Sequence, residues 1–355
     1  MAQGLHAPRY SLTPPELMGR GLLQLVSCAP LLGLAAAASG AEPIIGGQGD
    51  FRYEYLPHLL QLPPGVRLQH AHGWAVDARS NIYLTFAPEP GSVDGRCLVR
   101  WAPDGTNATL LGPGRGLCAG VPHGLRLAAE GGREYLYHAN NGEALHKTTL
   151  DGELLWTVRG PPANDSRFLP NAPTWFAAPP GGDLVYMADG YGSNFVHVYT
   201  RAGVYTGRSY GGRGTGPGKF QTCHSINFDP RAGQLVVTDR ENHRHQYFHF
   251  DPYSPDKFDF ASEFVVPGLQ RPCNMRFDFG HGHAVIPALE GPVGIVDQAN
   301  KLVSLLDVKA LLGDAGHLHP HDATFLPSGD LVVATWNPGR ISYWRLLPKR
   351  DVLQV

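Results

Sequence analysis

Residues 223–250 read CHSINFDPRAGQLVVTDRENHRHQYFHF. The runs CHSINFD, QLVVTD and HQYFHF alternate apolar and polar residues, and Pro/Gly and Asp/Asn turn signals separate them. This is a strand–turn–strand–turn–strand pattern. Its opening recurs along the chain as AHGWAVD from Ala71, PHGLRLA from Pro122, PTWFAAP from Pro173, PCNMRFD from Pro272 and PHDATFL from Pro320. The second residue of each lies at 72, 123, 174, 224, 273 and 321, a step of 48–51 residues. Most openings are followed by a second β-rich run: NIYLTF, EYLYHA, LVYMAD, QLVVTD, HAVIPA and DLVVAT. Several strands and Gly/Pro/Asp turns per fifty residues describe a propeller blade. The expected fold is all-β, a six-bladed β-propeller of the NHL-repeat type. A β-sandwich or two smaller β-domains would leave the constant step unexplained. Five or seven blades stay open, because blades one and five match the pattern weakly.

Composition agrees. The 355 residues include 44 Gly and 31 Pro, and only 17% are charged, which suits a turn-dense β-protein. A formal charge of -2, with no Lys/Arg run, gives no electrostatic reason to expect nucleic acid or an anionic membrane as partner. The expected organisation is a targeting segment over 1–41, a linker with a ring-closing strand over 42–64, the propeller over 65–348 and a tail over 349–355. Within the first segment, residues 21–40 (GLLQLVSCAPLLGLAAAASG) form an apolar stretch preceded by Arg9 and Arg20 and ending in small residues. This reads as a signal-peptide core, and Gln24 and Pro30 argue against a stable membrane span. The expected destination is the secretory pathway or the extracellular space. An organellar transit peptide is the alternative, since Glu16 is the only acid before Glu42. Sequons at Asn107 and Asn164 fit secretion and a glycoprotein. Without the leader and its Cys28, four cysteines remain, and of their three pairings Cys97–Cys118, inside one repeat, is the first to test.

The innermost strand of each blade lines the channel, so equivalent positions form a ring. That ring is His72, His123, Thr174, His224, Cys273 and His321. A lone histidine there would read as a hydrogen-bonded core residue. Several converging on one axis point to a metal, and three neutral imidazoles with an open fourth position make Zn²⁺ a Lewis acid. A water-filled channel of hydrogen-bonded histidines is the plain alternative. Tyr191 in ADGYGSN and Arg240 in TDRENHRHQYF sit where second strands end, at one mouth of the channel. A cation beside a phenol lowers its pKa and makes it a usable base.

The ordered run of ADGYGSN, GRGTGPGKFQTCHSI and VVTDRENHRHQYF, with PHGL at Pro122 and PHDATFLPSGDLVV at Pro320, resembles the peptidyl-α-hydroxyglycine α-amidating lyases, or peptidylamidoglycolate lyases, over roughly residues 70–345. The resemblance implies zinc on His123, His224 and His321. It implies Tyr191 as base with Arg240 as its partner, and a structural calcium on Asp322 and the backbone carbonyls of Leu125 and Trp74. His72 and Cys273 are additional candidate channel ligands. The implied reaction splits the C–N bond of a carbinolamide, a peptidyl- or N-acyl-α-hydroxyglycine, into an amide and glyoxylate. A separate monooxygenase is the expected supplier of substrate, since the copper domain fused to the animal enzyme has no counterpart in these residues.

The sequence departs from the family at several points. Ala87 and Pro88 stand where the family carries a substrate-binding arginine, leaving Arg271, Arg213 or Arg96 as stand-ins. Gly192, Val236 and Tyr247 replace its disulfide cysteines. A missing peptide-side arginine would suit a smaller substrate, so ureidoglycolate lyase activity, releasing urea and glyoxylate, is a second reading. A non-catalytic NHL-type binding propeller is a third.

Overall fold

The structure is a computed structural model. It describes residues 42–349 apart from 93–94, 113–116, 143, 162–164, 281 and 314–315. The expected targeting segment, the sequon at Asn164 and nearly all of the expected tail lie outside the described residues. Among those described, the strands form six antiparallel sheets, five of four strands and one of five. The innermost strands are Leu68–Val76, Pro122–Glu130, Trp175–Ala177, Cys223–Asp229, Arg276–Phe277 and Pro320–Phe325. The fold is a six-bladed β-propeller, with blades numbered here in that order.

Hydrophobic burial closes the circle. Each pair of adjacent blades shares an apolar cluster: Tyr83 and Leu125 between blades 1 and 2, Tyr137 and Phe176 between 2 and 3, Trp175 and Ile226 between 3 and 4. Val236 and Ile286 fill the space between blades 4 and 5, Val285 and Trp344 that between 5 and 6, and Trp74 and Val332 that between 6 and 1. Trp74, Trp101, Trp175 and Trp344 are wholly buried, and aromatic rings of that size dominate core energetics. The ring is also latched by hydrogen bonds. Phe51–Tyr55 pairs antiparallel with Arg340–Leu346, the third strand of blade 6, aligning Tyr53 with Leu346. Ile45–Gln48 adds a further strand outside it. An N-terminal segment thus completes the C-terminal blade, covering an edge that would otherwise be free.

Two glycines set the width of the channel. A Cβ on Gly73 would strike the backbone nitrogen of Leu125, and one on Gly124 the carbonyl of Thr174. Only Gly at these places lets neighbouring inner strands approach so closely. Cys97 and Cys118 form a disulfide within blade 1, and Cys223 and Cys273 are free and buried. Asn107 is an exposed turn residue with φ 55°. No helix among the described residues is long and apolar enough to cross a membrane.

Candidate metal centre

His72, His123, His224 and His321 face the channel axis, none more than 1% exposed. In all four blades the ladder between first and second strand slips at the histidine. The shifts fall between Ala71 and Gly73, Pro122 and Leu125, Cys223 and Ser225, and Pro320 and Asp322. Bulges of this kind re-aim a side chain out of the ordinary pleat. Each ring then donates its Nδ1 proton to a backbone carbonyl on, or just before, the next blade's inner strand. His72 donates to Pro122, His123 to Thr174 at 2.7 Å, His224 to Cys273 at 2.6 Å and His321 to His72 at 3.2 Å. A carbonyl only accepts, so each neutral ring keeps its Nε2 lone pair free.

Burial keeps the rings neutral. It drives His72 down to about 3. Burial, reinforced by His321 and His72, holds His123 well below the usual histidine range; burial and Arg240 do the same for His224, and burial and His224 for His321. Yet Nε2 of His123 and Nε2 of His321 lie 3.1 Å apart. Two lone pairs facing at that distance repel unless a cation lies between them. Tetrahedral Zn–N bonds of about 2.0–2.1 Å would put ligand nitrogens about 3.3 Å apart, so the donor set fits a divalent metal.

The group drawn together differs from the trio expected on resemblance. His72, His123 and His321 bring their ligating atoms within 4.8 Å of one another. His224 packs its ring 5.0 Å from that of His123 and 4.8 Å from that of His321, but its Nε2 is turned to the Tyr191 hydroxyl, 3.1 Å away. His123 and His321 form a common edge, with His72 and His224 as the two candidates for a third ligand. Cys273 does not join them. Its Sγ faces the carbonyl of Arg271 at 3.8 Å, and burial raises its thiol to about 11. Its contribution to the ring is the carbonyl that orients His224.

Two aspartate-held turns deliver Tyr191 and Arg240. The Asp189 carboxylate accepts from the backbone of Ala172 and Ser193, at 2.5 and 2.7 Å, and so fixes the DGY turn. Asp239 accepts from the backbone of Gln221 at 2.7 Å and from Arg244 Nε at 2.9 Å, bracing the 3₁₀ turn Arg240–Asn242. Across the mouth, Arg240 Nη1 donates to the Tyr191 hydroxyl at 3.0 Å, and that hydroxyl donates to His224 Nε2. The expected acidification of Tyr191 is corrected in direction: the phenol is raised, not lowered. Tyr191 is 40% exposed as a residue, but loss of water around its hydroxyl, which lies against Arg240 and His224, raises the phenol above its ordinary value, and Arg240 opposes that rise without reversing it.

These groups open onto a cavity of about 450 Å³ whose lining includes His70, His319, Trp336 and Arg271. Among the three arginines considered as stand-ins, Arg271 reaches this cavity, and it is paired with Glu241 at 2.8 Å and Glu290 at 2.7 Å. Arg96 is bonded to Leu110 O within blade 1, and Arg213 is not in the lining. His70, His319 and Trp336 were not singled out from sequence. Their signal was the repeated His-x-His at 70–72 and 319–321, which puts a second imidazole on the same side of an extended strand.

The calcium expectation fails on this structure. Asp322 and the carbonyls of Trp74 and Leu125 do converge, but on the guanidinium of Arg276. Its Nη2 lies 2.6 Å from Trp74 O, 3.0 Å from Leu125 O and 2.8 Å from Asp322 Oδ2. Arg276 is 3% and Asp322 0% exposed. A side-chain cation already satisfies the oxygens that a metal would need, so these residues do not fit calcium.

No protein-family model matches the chain. Against curated proteins, 142 residues are 30% identical to peptidylglycine alpha-amidating monooxygenase of Rattus norvegicus, covering 37% of this chain and 14% of that protein. A stretch of 80 residues is 35% identical to peptidyl-glycine alpha-amidating monooxygenase A of Xenopus laevis, covering 22% of this chain and 9% of that one. The chain thus spans only a small part of the length of these relatives. Among solved structures, streptogramin B lyase superposes with a TM-score of 0.54 at 11% identity, covering 85% of this chain and 98% of that one. Virginiamycin B lyase from Staphylococcus aureus gives 0.51 at 14%, covering 87% and 90%. At such identities the structural likeness speaks to fold alone. The chain is a six-bladed β-propeller with partial, distant sequence similarity to amidating monooxygenases.

Proposed function

We propose that the protein is a metal-dependent lyase, with zinc as its metal, that cleaves the C–N bond of an N-acyl- or peptidyl-α-hydroxyglycine to release an amide and glyoxylate. The observation that carries this reading is the contact chain Arg240–Tyr191–His224 abutting the His123–His321 pair. His123 and His321, with His72 or His224, would hold the ion. A bound zinc supplies Lewis acidity that makes a neighbouring hydroxyl easier to deprotonate. Tyr191 would act as its phenolate, the form that Arg240 and a cation on the histidines favour over the phenol that donates to His224; its Oη takes the proton of the carbinol hydroxyl, and Arg240 stabilises the charge on whichever oxygen carries it. The C–O bond becomes a carbonyl as the C–N bond breaks, and the proton held on Tyr191 returns to the departing amide nitrogen. Atoms balance without water, so the step is an elimination. His70, Trp336 and Arg271 border the space left for substrate.

The cavity, about 450 Å³, is larger than ureidoglycolate would fill, which favours an N-acyl substrate. The disulfide Cys97–Cys118 supports an oxidising compartment such as the secretory pathway. A glyoxylate-release assay on α-hydroxyhippurate and on ureidoglycolate tests the proposal. Turnover of the first but not the second is expected. Turnover of neither by metal-loaded protein would leave a binding propeller.

A further inference from the structure

The inner strands run in one direction along the axis. His70, Val121 and His319, just before the ring histidines, line the metal-side cavity. Positions a few residues beyond those histidines, among them Val76, Arg126, Arg276 and Thr324, line a separate cavity of about 270 Å³ at the other end. Two arginines therefore meet in the far half of the channel. Arg276 is neutralised by Asp322, whose Oδ1 also accepts from Asn274 at 2.6 Å and whose Oδ2 also accepts from the backbone of Trp74 at 2.8 Å. Asp278, the other acid in the lining, is bonded to the backbone and ring of His283. Arg126 is left over: it makes no side-chain hydrogen bond or ion pair with any described residue. The residue is only partly buried and its guanidinium borders the cavity; loss of water there, aggravated by the Arg276 charge, pulls its pKa down to about 9. Charges placed in such surroundings are ordinarily paired. The walls beside it are aromatic, from Phe228, Phe277 and Phe279, and Phe279 is 56% exposed.

We propose that this far mouth binds a small organic carboxylate with an aromatic or branched apolar body, its carboxylate on Arg126 and its body among Phe228, Phe277 and Phe279. A planar guanidinium receives a carboxylate through two parallel hydrogen bonds, and a cavity of this size, at the lower end of those that hold ligands, limits the guest to a single small molecule. The site lies on the other side of the histidine ring from Tyr191 and is independent of the proposed lyase chemistry.

Titration of the full chain with 3-phenylpropionate, read by calorimetry and ligand-detected NMR, tests this. Saturable binding is expected, with the neutral isostere 3-phenylpropan-1-ol at least about tenfold weaker. Arg126→Gln should weaken the acid by a similar factor without lowering Tm, because the cation removed has no partner. Chelator-treated protein should bind the acid as well as metal-loaded protein, which separates this site from the histidines. If Arg126→Gln does not fold, Phe279→Ala, at an exposed position, should weaken the acid several-fold. No saturable binding, equal binding of the alcohol, binding unchanged in Arg126→Gln or in Phe279→Ala, or binding lost on chelation would each overturn the proposal.

Discussion

Nε2 of His123 lies 3.1 Å from Nε2 of His321, while each ring gives its Nδ1 proton to a backbone carbonyl. Neither nitrogen of the close pair has a proton to share, so the contact asks for a cation. Purified protein should carry about one equivalent of divalent metal by elemental analysis, zinc on the proposed reading. His123→Ala should abolish both the metal and glyoxylate release. Full turnover by metal-free His123→Ala would refute a catalytic metal here.

His72 and His224 compete for the role of third ligand, and they are separable. His224 adjoins Tyr191, so His224→Ala should remove turnover even where some metal stays bound. His72 has no such neighbour, so His72→Ala should weaken metal retention by roughly 10- to 100-fold, while excess zinc restores much of the rate. Zinc titration followed by activity at saturation distinguishes the two.

On the proposed reading Tyr191 moves a proton and does not hold the fold. Tyr191→Phe should keep metal and Tm yet lower kcat by roughly 10²- to 10⁴-fold, the usual cost of losing a positioned acid–base group. Arg240→Gln should also lower kcat, with the rising limb of the pH profile displaced to higher pH, because the guanidinium favours the phenolate. Unchanged kcat in Tyr191→Phe would remove the mechanism and leave the fold standing.

Arg276 occupies the place expected for calcium, so any Tm lost in EGTA should be regained with Zn²⁺ and not with Ca²⁺. Arg276→Ala strands a wholly buried Asp322 carboxylate and should cost about 3–5 kcal/mol. Calorimetric unfolding of wild type with and without chelator, and of the variant, gives both readings. A Tm that falls in EGTA and is recovered by Ca²⁺ but not by Zn²⁺ would restore calcium to the argument.

Stability should fall on acidification. Burial lowers His72, His138 and His245 to about 3 in the folded protein, against an unfolded value of about 6.5. Between those values the unfolded chain binds more protons, so folding loses free energy as pH drops through that window and is insensitive to these groups above it. Urea midpoints of metal-free protein, measured between pH 7.5 and roughly 4, should decline throughout the lower part of that range.

The residue order alone determined the blades and the ring. A step of 48–51 residues expresses a repeated local unit, and repetition survives in sequence because every blade solves the same packing problem between like neighbours. The same register brought His72, His123, His224 and His321 to one level, while the choice of Cys97–Cys118 among three possible pairings came from the structure. What the sequence did not determine was how those side chains divide their partners. Four bulges turn the histidines inward, and their slips depend on ladders formed only after folding. The Arg276 guanidinium reaches across the channel to Trp74, 202 residues away in sequence, and to Leu125, 151 away. No local pattern marks such a contact, so an arginine and a calcium ion remain indistinguishable until the strands close. Whether Arg240 or burial governs Tyr191 is likewise decided by depth in the channel, a property of the assembled ring and of no segment within it.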